Sequence, residues 1–491
     1  MTDTTRTLAD ATLPLLKAGV ARPRYDRRAA GIGVVHFGPG AFHRAHQAYY
    51  FDELLNRGGG DWAVSAVSLR SGGVTDALAP QDGLYTLAEL DERVSFRVVG
   101  ALTELLSASR SPEAVLSRLA HPATRVVTMT VTEKGYCLGA DGELDLSHPD
   151  VALDLERPYA PVSVPGCLVE ALKRRRAAGL RPFTAISCDN LVDNGRKLGA
   201  AVVALARESD PDLARWIEAE GAFPSTMVDS ITPATDDPLR ARVAEATGLS
   251  DAWPIQRESF TQWVVEDRFA DVRPALDEVG VTFTSDVRAF DRAKLRLLNG
   301  PHSSLAYLGS LMGLETVRQA MEEPALAGFV ERLVRDDILP TVTAPAGFAL
   351  GTYVADILRR FRNPAIRHLL SQIAWDGSQK LPFRLMGTVA DALAAGRPVD
   401  RLCLPLAAWM HFVRRAAAEG RPITDPMADR LLGIGRACGG APSSDVARFL
   451  DLGTVFPAAT AAAPRFRDAL TAAYAALGTG SPADVRRALG G

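Results

Sequence analysis

The sequence predicts an α/β protein: an N-terminal Rossmann-type domain with a mostly parallel sheet, then an all-α C-terminal domain. Three observations predict it. An apolar run, Gly31–Phe37 (GIGVVHF), meets a glycine turn, Gly38-Pro39-Gly40, and then a helical pattern through Tyr49, Phe51 and Leu54. Further buried-strand runs alternate with helical stretches, which favours parallel pairing. From about Ala289 onward the strand signals fade and alanine-rich helical sequence takes over. At 491 residues the chain is too long for one typical core. We therefore divide it into residues 1–287 and 288–491.

A strand, a glycine turn and a helix make the phosphate-binding end of a dinucleotide domain. The glycines let backbone approach a pyrophosphate, and the helix N-terminus offers free N–H groups to it. His43 replaces the third small residue of the usual fingerprint, so a plain tight turn stays open as the alternative. Trp62–Leu69 (WAVSAVSL) is the next strand. An acid reading the adenosine ribose of NAD belongs at its end, but the sequence there is Arg70-Ser71-Gly72-Gly73, with no acid before Asp76. Arginine and serine would tolerate a 2′-phosphate, so NADP is not excluded beside NAD. Val126–Val131 (VVTMTV) ends in Thr132-Glu133-Lys134, and Phe183–Ser187 (FTAIS) ends in Cys188-Asp189-Asn190. Open α/β sheets place ligands at such polar C-terminal strand ends. Cofactor contacts are accordingly expected at Gly38, Gly40, Phe42, Arg44, Arg70, Ser71, Thr132 and Glu133.

Helices are predicted over Cys167–Arg176 and Gly195–Ala206; Thr226–Asp229 precedes a turn-rich stretch, Thr232–Pro238, and strands are predicted at Phe260–Glu266 and Val281–Thr284. Beyond the boundary, helical patterns cover Leu305–Met312, Ala325–Leu339, Val354–Phe361, Leu402–Ala418, Ser444–Leu450 and Phe466–Leu477. The composition is that of an ordinary soluble protein, with 47% hydrophobic and 23% charged residues. A net charge of −3 gives no strong field for nucleic acid or an anionic membrane. No apolar run reaches the ~18 residues of a transmembrane helix. Five scattered cysteines without CxxC pairs argue against a disulfide framework and a cysteine zinc site, and a cytoplasmic protein is expected. No convincing metal-ligand cluster stands out, so no metal is expected.

The stretch Asp291–His302 carries the chemistry. With Lys294 at zero and about 100° per residue, Asp291 falls near ~60°, His302 near ~80° and Asn299 near ~140°. One helix would aim a carboxylate, an ammonium, an amide and an imidazole into a single sector. On spacing alone, an ordinary amphipathic helix with satisfied polar residues stays open. A partly desolvated lysine can act as base toward an alcohol. Amides at Asn190 and Asn299 can stabilise the alkoxide, His302 can hold a neighbouring hydroxyl, and Asp291 can pass the proton outward. Pro301 predicts a kink.

The blocks His36-Phe-Gly-Pro-Gly-Ala-Phe-His-Arg-Ala-His-Gln-Ala48, Gln81-Asp-Gly-Leu-Tyr-Thr86, Thr130-Val-Thr-Glu-Lys-Gly-Tyr136, Ser187-Cys-Asp-Asn190, Met227-Val-Asp229 and Lys294-x4-Asn299-x2-His302 resemble the long-chain mannitol dehydrogenase family. The resemblance implies a Rossmann-type domain, a helical C-terminal domain, NAD(P) and no zinc. By position it implies Lys294 as general base, Asn190 and Asn299 as oxyanion-stabilising amides, His302 orienting substrate, Asp229 contacting it, and Asp291 in the place of the proton-relay carboxylate. The NAD-preferring mannitol oxidisers carry acids where this chain has Gly72 and Gly73. Gln372 and the run Asp376–Arg384 look more like the mannonate-oxidising branch, with Lys380 or Arg384 matching a substrate carboxylate. The expected reaction is thus reversible oxidation of a secondary alcohol, with D-mannonate/D-fructuronate favoured and D-mannitol/D-fructose or arabinitol as alternatives. A lysine Schiff-base enzyme, or a non-catalytic nucleotide-binding protein, are the rivals from other classes. The partner is a small molecule, and oligomeric state is not legible.

Overall fold

The computed structural model describes residues 6–139 and 141–490. It divides into two compact units between Arg288 and Ala289. The strands of the first unit are β1 (Ile32–Phe37), β2 (Ala63–Ser68), β3 (Tyr85–Leu90), β4 (Ser95–Val99), β5 (Leu102–Ser107), β6 (Val126–Met129), β7 (Thr184–Ser187), β8 (Thr226–Asp229), β9 (Ile255–Glu258), β10 (Gln262–Glu266) and β11 (Thr282–Thr284).

Five of them form one parallel sheet in the order β5-β2-β1-β6-β7. This is a doubly-wound order, and its direction reverses between β1 and β6. Successive strand side chains face opposite sides. Val34, Val64, Ala66 and Ile186 therefore pack with Tyr50, Phe51 and Leu54 of the helix Gln47–Asn56. Val35, Phe37, Val67, Val127 and Met129 pack on the other face with Leu168 and Leu172 of Val164–Ala177 and Leu198 and Val202 of Asn194–Ser209. Cover on both faces is why β1, β2 and β6 read as unbroken apolar runs.

The sheet's edge strand β5 was not among the strands predicted, nor were β3, β4 and β9. β5 carries Glu104, which accepts from Arg118 at 2.7 Å and from Ser65 at 2.5 Å, so its sequence (LTELLS) lacks the apolar signature of a central strand. β4-β3-β9 and β11-β10-β8 are two smaller sheets that mix parallel and antiparallel pairs.

Among the described residues the second unit is helical. Its longest helix, Asp400–Ala418, buries Leu402, Leu406, Trp409 and Val413 and is packed by Gly300–Leu311, Ala428–Ala437 and Pro464–Ala476. No helix among the described residues is long and apolar enough to cross a membrane.

Candidate active site

The sequence places Gly38 and Gly40 at the C-terminal end of β1, beside the reversal point. Gly38 has φ +84°, and a Cβ there would lie 2.2 Å from the carbonyl oxygen of Thr130. Only glycine gives this backbone its approach to the end of β6. His36 fastens the two strand ends. Its Nδ1 lies 2.7 Å from Thr128 Oγ1 and its Nε2 3.0 Å from Thr130 Oγ1, while burial pushes its pKa down to about 3. A Cβ on Gly40 would meet nothing closer than 3.9 Å, so the backbone there stays open to a ligand.

A cleft of about 460 Å3 opens at this point. Its lining includes Gly40, Phe42, Thr132 and Glu133, four residues expected from the sequence to contact cofactor, and Asn190, expected as an oxyanion-stabilising amide, and adds Lys134, Cys188 and Asp189. A bound dinucleotide suits it on this structure's own terms: positive-φ glycine, open backbone at Gly40, and position at the switch point. Asp229 is buried at the end of β8, next to Val228 of the lining.

Asp189 was not singled out from the sequence. One carboxylate oxygen accepts from the Thr132 amide at 3.0 Å; the other accepts from the Val131 amide at 3.0 Å and the Tyr136 hydroxyl at 2.7 Å. Burial raises its pKa, and the three donors oppose that. Thr132 has φ +65° and ψ 166°, a conformation otherwise left to glycine, at a cost of about 1–3 kcal/mol.

Other expected cofactor residues lie elsewhere. Arg44 is buried, donates to the Trp253 carbonyl at 2.6 Å and sits over the Tyr85 and Trp253 rings, so it holds the interior rather than lining the cleft. Arg70, whose side chain is 77% exposed, pairs with Asp150, and Ser71 is exposed. Neither belongs to the cleft lining. Against Gly72 lies a bidentate pair at 2.6 Å, Arg110 with Asp76. His43 fills the place of the third small fingerprint residue by lying flat on His36, ring centroids 3.3 Å apart.

In the second unit the regular helix is interrupted just before Pro301, where a kink is expected from the sequence. The helix runs Val287–Lys294, makes a π turn over Leu295–Asn299, and resumes as Gly300–Leu311. The Gly300 amide reaches back five residues to the Leu295 carbonyl. This wider turn leaves Pro301 near the start of a fresh α segment, where its missing N–H costs nothing. It also corrects the predicted angles. A π turn advances each residue by less than ~100°, so the angle between Lys294 and Asn299 is narrower than the ~140° of a regular helix. Lys294 and His302 are buried, and Asp291 and Asn299 are partly exposed.

A Cβ on Gly300 would lie 2.8 Å from the Arg384 carbonyl, so glycine lets a second π turn, Pro382–Met386, pass close by. Arg384 donates to Ser303 Oγ at 3.1 Å, and burial pushes its guanidinium down to about 10. Among the described residues it forms no ion pair with a carboxylate. Lys380 stands 4.0 Å from Asp376, and its pKa is lowered by burial and then by Arg384. Gln372 is exposed on the short helix Leu370–Ile373.

His368 was missed from the sequence, where a lone histidine gives no signal. Its ring meets His302 edge-on with centroids 5.1 Å apart, and Phe361 lies 4.5 Å from His302 on another side. Burial, followed by neighbouring positive charge, holds both imidazoles neutral: His302 falls well below its ordinary value and His368 to about 4. His302 Nε2 and His368 Nδ1 are buried without a hydrogen-bond partner. Neutral imidazoles beside a desolvated arginine suit a ligand bearing hydroxyls and a negative charge.

A doubly-wound sheet with a glycine turn at its switch point, together with a helical unit carrying this lysine–asparagine–histidine helix, defines an oxidoreductase of the Rossmann type. The chain belongs to the mannitol dehydrogenase family. The model of the mannitol dehydrogenase Rossmann domain matches residues 32–278, and that of the mannitol dehydrogenase C-terminal domain matches residues 286–478. D-Mannonate oxidoreductase of Escherichia coli is 41% identical over 479 residues, 96% of this chain and 97% of that protein. Mannitol 2-dehydrogenase of Aspergillus fumigatus is 41% identical over 434 residues, 86% of each. The ternary complex of Pseudomonas fluorescens mannitol 2-dehydrogenase with NAD and D-mannitol is similar with a TM-score of 0.83 at 36% identity, over 98% of this chain and 99% of that one.

Proposed function

We propose that the protein is an NAD-dependent dehydrogenase that interconverts D-mannonate and D-fructuronate. The observation that carries the substrate is Arg384, a desolvated guanidinium that forms no ion pair among the described residues. A partly buried cation of this kind is costly unless a ligand anion completes it, and the uronate carboxylate is such an anion. Lys380 adds positive charge nearby, and Gln372 and Asp229 contribute polar contacts to substrate. The 41% identity to D-mannonate oxidoreductase over nearly the whole chain supports the same reading.

Residue roles follow from chemistry. Lys294 takes the hydroxyl proton and Asp291 passes it outward. The amides of Asn190 and Asn299 donate to the developing alkoxide. Neutral His302 offers a ring nitrogen to a substrate hydroxyl. Gly38 and Gly40 admit the pyrophosphate, and Phe42, Thr132 and Glu133 wall the cleft. Bound there, the nicotinamide supplies the hydride acceptor. A reducing, cytoplasmic setting fits the five free cysteines.

The identities to mannitol 2-dehydrogenases favour D-mannitol/D-fructose as the second reading. A panel decides. D-Fructuronate, D-fructose, D-mannonate and D-mannitol are assayed with NAD(H) and NADP(H) by absorbance of the reduced cofactor. Higher kcat/KM on fructuronate than on fructose is expected; the reverse assigns the polyol.

A further inference from the structure

We infer that Asp189 is a positioning residue, whose carboxylate clamps the Val131 and Thr132 amides and so holds the cleft wall in the form that receives the dinucleotide. The inference rests on the dinucleotide reading of the cleft. Three observations carry it. Asp189 spends both oxygens on one loop, with Val131 N and Thr132 N each at 3.0 Å and Tyr136 Oη at 2.7 Å. The loop it grips contains Thr132 at φ +65°, and a β-branched residue there is a true outlier. The strained residue, its neighbours Glu133 and Lys134, Asp189 itself and Asn190 all line the same cleft.

The strain does not serve the sheet. β6 ends at Met129, three residues before Thr132, and the sheet's pairing is complete without the loop. Relaxing Thr132 would favour stability, so the clamp holds a conformation that folding alone would give up. Strain of this kind collects where a ligand needs a preset surface. Asn190 follows Asp189 directly, so the same clamp fixes the backbone from which its amide is presented. Tyr136 also meets Ser187 Oγ at 2.5 Å, which ties the clamp to the end of β7.

Asp189→Asn tests this, because the side chain keeps its shape. An amide can accept from only one of the two backbone N–H groups and turns its own NH2 toward the other. Losing one charge-assisted bond of this kind should raise the dissociation constant for NAD about 10- to 100-fold. Adding Thr132→Gly removes the strain that the clamp opposes, so the double variant should regain part of the affinity. Val202→Ala, in the core beneath the sheet, lowers the melting temperature without touching the loop and should bind NAD as the wild type does. Tyr136→Phe, which removes one donor to the same carboxylate, should weaken binding in the same direction by a smaller factor. Binding is read by titrating protein fluorescence, with melting curves taken alongside. Wild-type affinity in Asp189→Asn or Tyr136→Phe despite a lower melting temperature makes the clamp purely structural and overturns the inference. So does a deficit that Thr132→Gly leaves untouched. Failure of the wild type to bind either dinucleotide overturns the dinucleotide reading and this inference with it; equal binding by wild type and Asp189→Asn overturns this inference alone.

Discussion

Replacing Arg384 by methionine separates the two substrate readings. In the folded protein its pKa falls from 12.5 to about 10, so burial disfavours the charge by about 3 kcal/mol. Ser303 Oγ at 3.1 Å returns one hydrogen bond to an uncharged acceptor, about 1.5–3 kcal/mol. A substrate carboxylate would return more, and losing a buried charge-assisted contact costs roughly 2–5 kcal/mol, about 30- to several-thousand-fold in kcat/KM. The loss should fall mainly on D-fructuronate, with D-fructose losing the smaller factor, since an uncharged sugar offers this group only a hydroxyl acceptor. Arg384→Lys should lie between, because it keeps the charge and loses the planar fork. The ligand-free variant should melt no lower than the wild type, because a partly buried charge without an ion pair among the described residues is gone. D-Mannonate should raise the melting temperature of the wild type and not of Arg384→Met. The assay is initial-rate reduction of both ketoses with the reduced cofactor, beside melting curves. Equal losses on the two substrates, or a melting temperature several degrees lower, would refute the reasoning and make Arg384 a packing residue.

Lys294→Ala should lower kcat by about 10²–10⁴-fold with NAD affinity retained, as rate and titration measurements together would show. Gly38→Ala puts a methyl 2.2 Å from the Thr130 carbonyl at φ +84°, so it should cost at least about 2 kcal/mol in urea unfolding and remove NAD binding. Stability should fall with acid in a defined window. His36 is held down to about 3 against an ordinary 6.5, so the unfolded chain binds the extra proton; the stabilisation is complete above about 6.5 and is lost as pH falls toward 3, about 2–3 kcal/mol by pH ~4.5. Urea midpoints of the wild type and His36→Gln should therefore converge between pH ~6.5 and ~4.5, and parallel lines would show that His36 does not titrate this way.

Much of the first unit was legible because its signals are local. The run before Gly38 shows a strand buried on both faces, and the glycines show a turn that must admit a ligand. Lys294, Asn299 and His302 were legible as a set for the same reason, since one helix carries all three. The helix itself was drawn wrongly. A fixed 100° per residue cannot represent a π turn, and only the Gly300–Leu295 hydrogen bond shows that the turn between Lys294 and Asn299 is wider than an α turn. Arg44 illustrates the opposite failure. It stands in the most recognisable block of the chain, four residues past Gly40, yet Trp253, 209 positions away, takes its guanidinium into the interior.

What stayed hidden depends on partners distant in sequence. β5 reads as polar because it carries Glu104, which pairs with Arg118 and accepts from Ser65, and neither is near it in sequence. His368 has meaning only beside His302, and Arg384 only because no acid among the described residues pairs with it. Thr132 is the sharpest case. Propensity assigns a β-branched residue to extended backbone, and nothing within its own segment would place it at positive φ. The cause is a carboxylate 57 positions further on. A conformation imposed from that distance is paid for by the rest of the fold, and it lies in the wall of the cleft rather than in the sheet. That placement separates a loop shaped to hold a ligand from one shaped only by its own sequence.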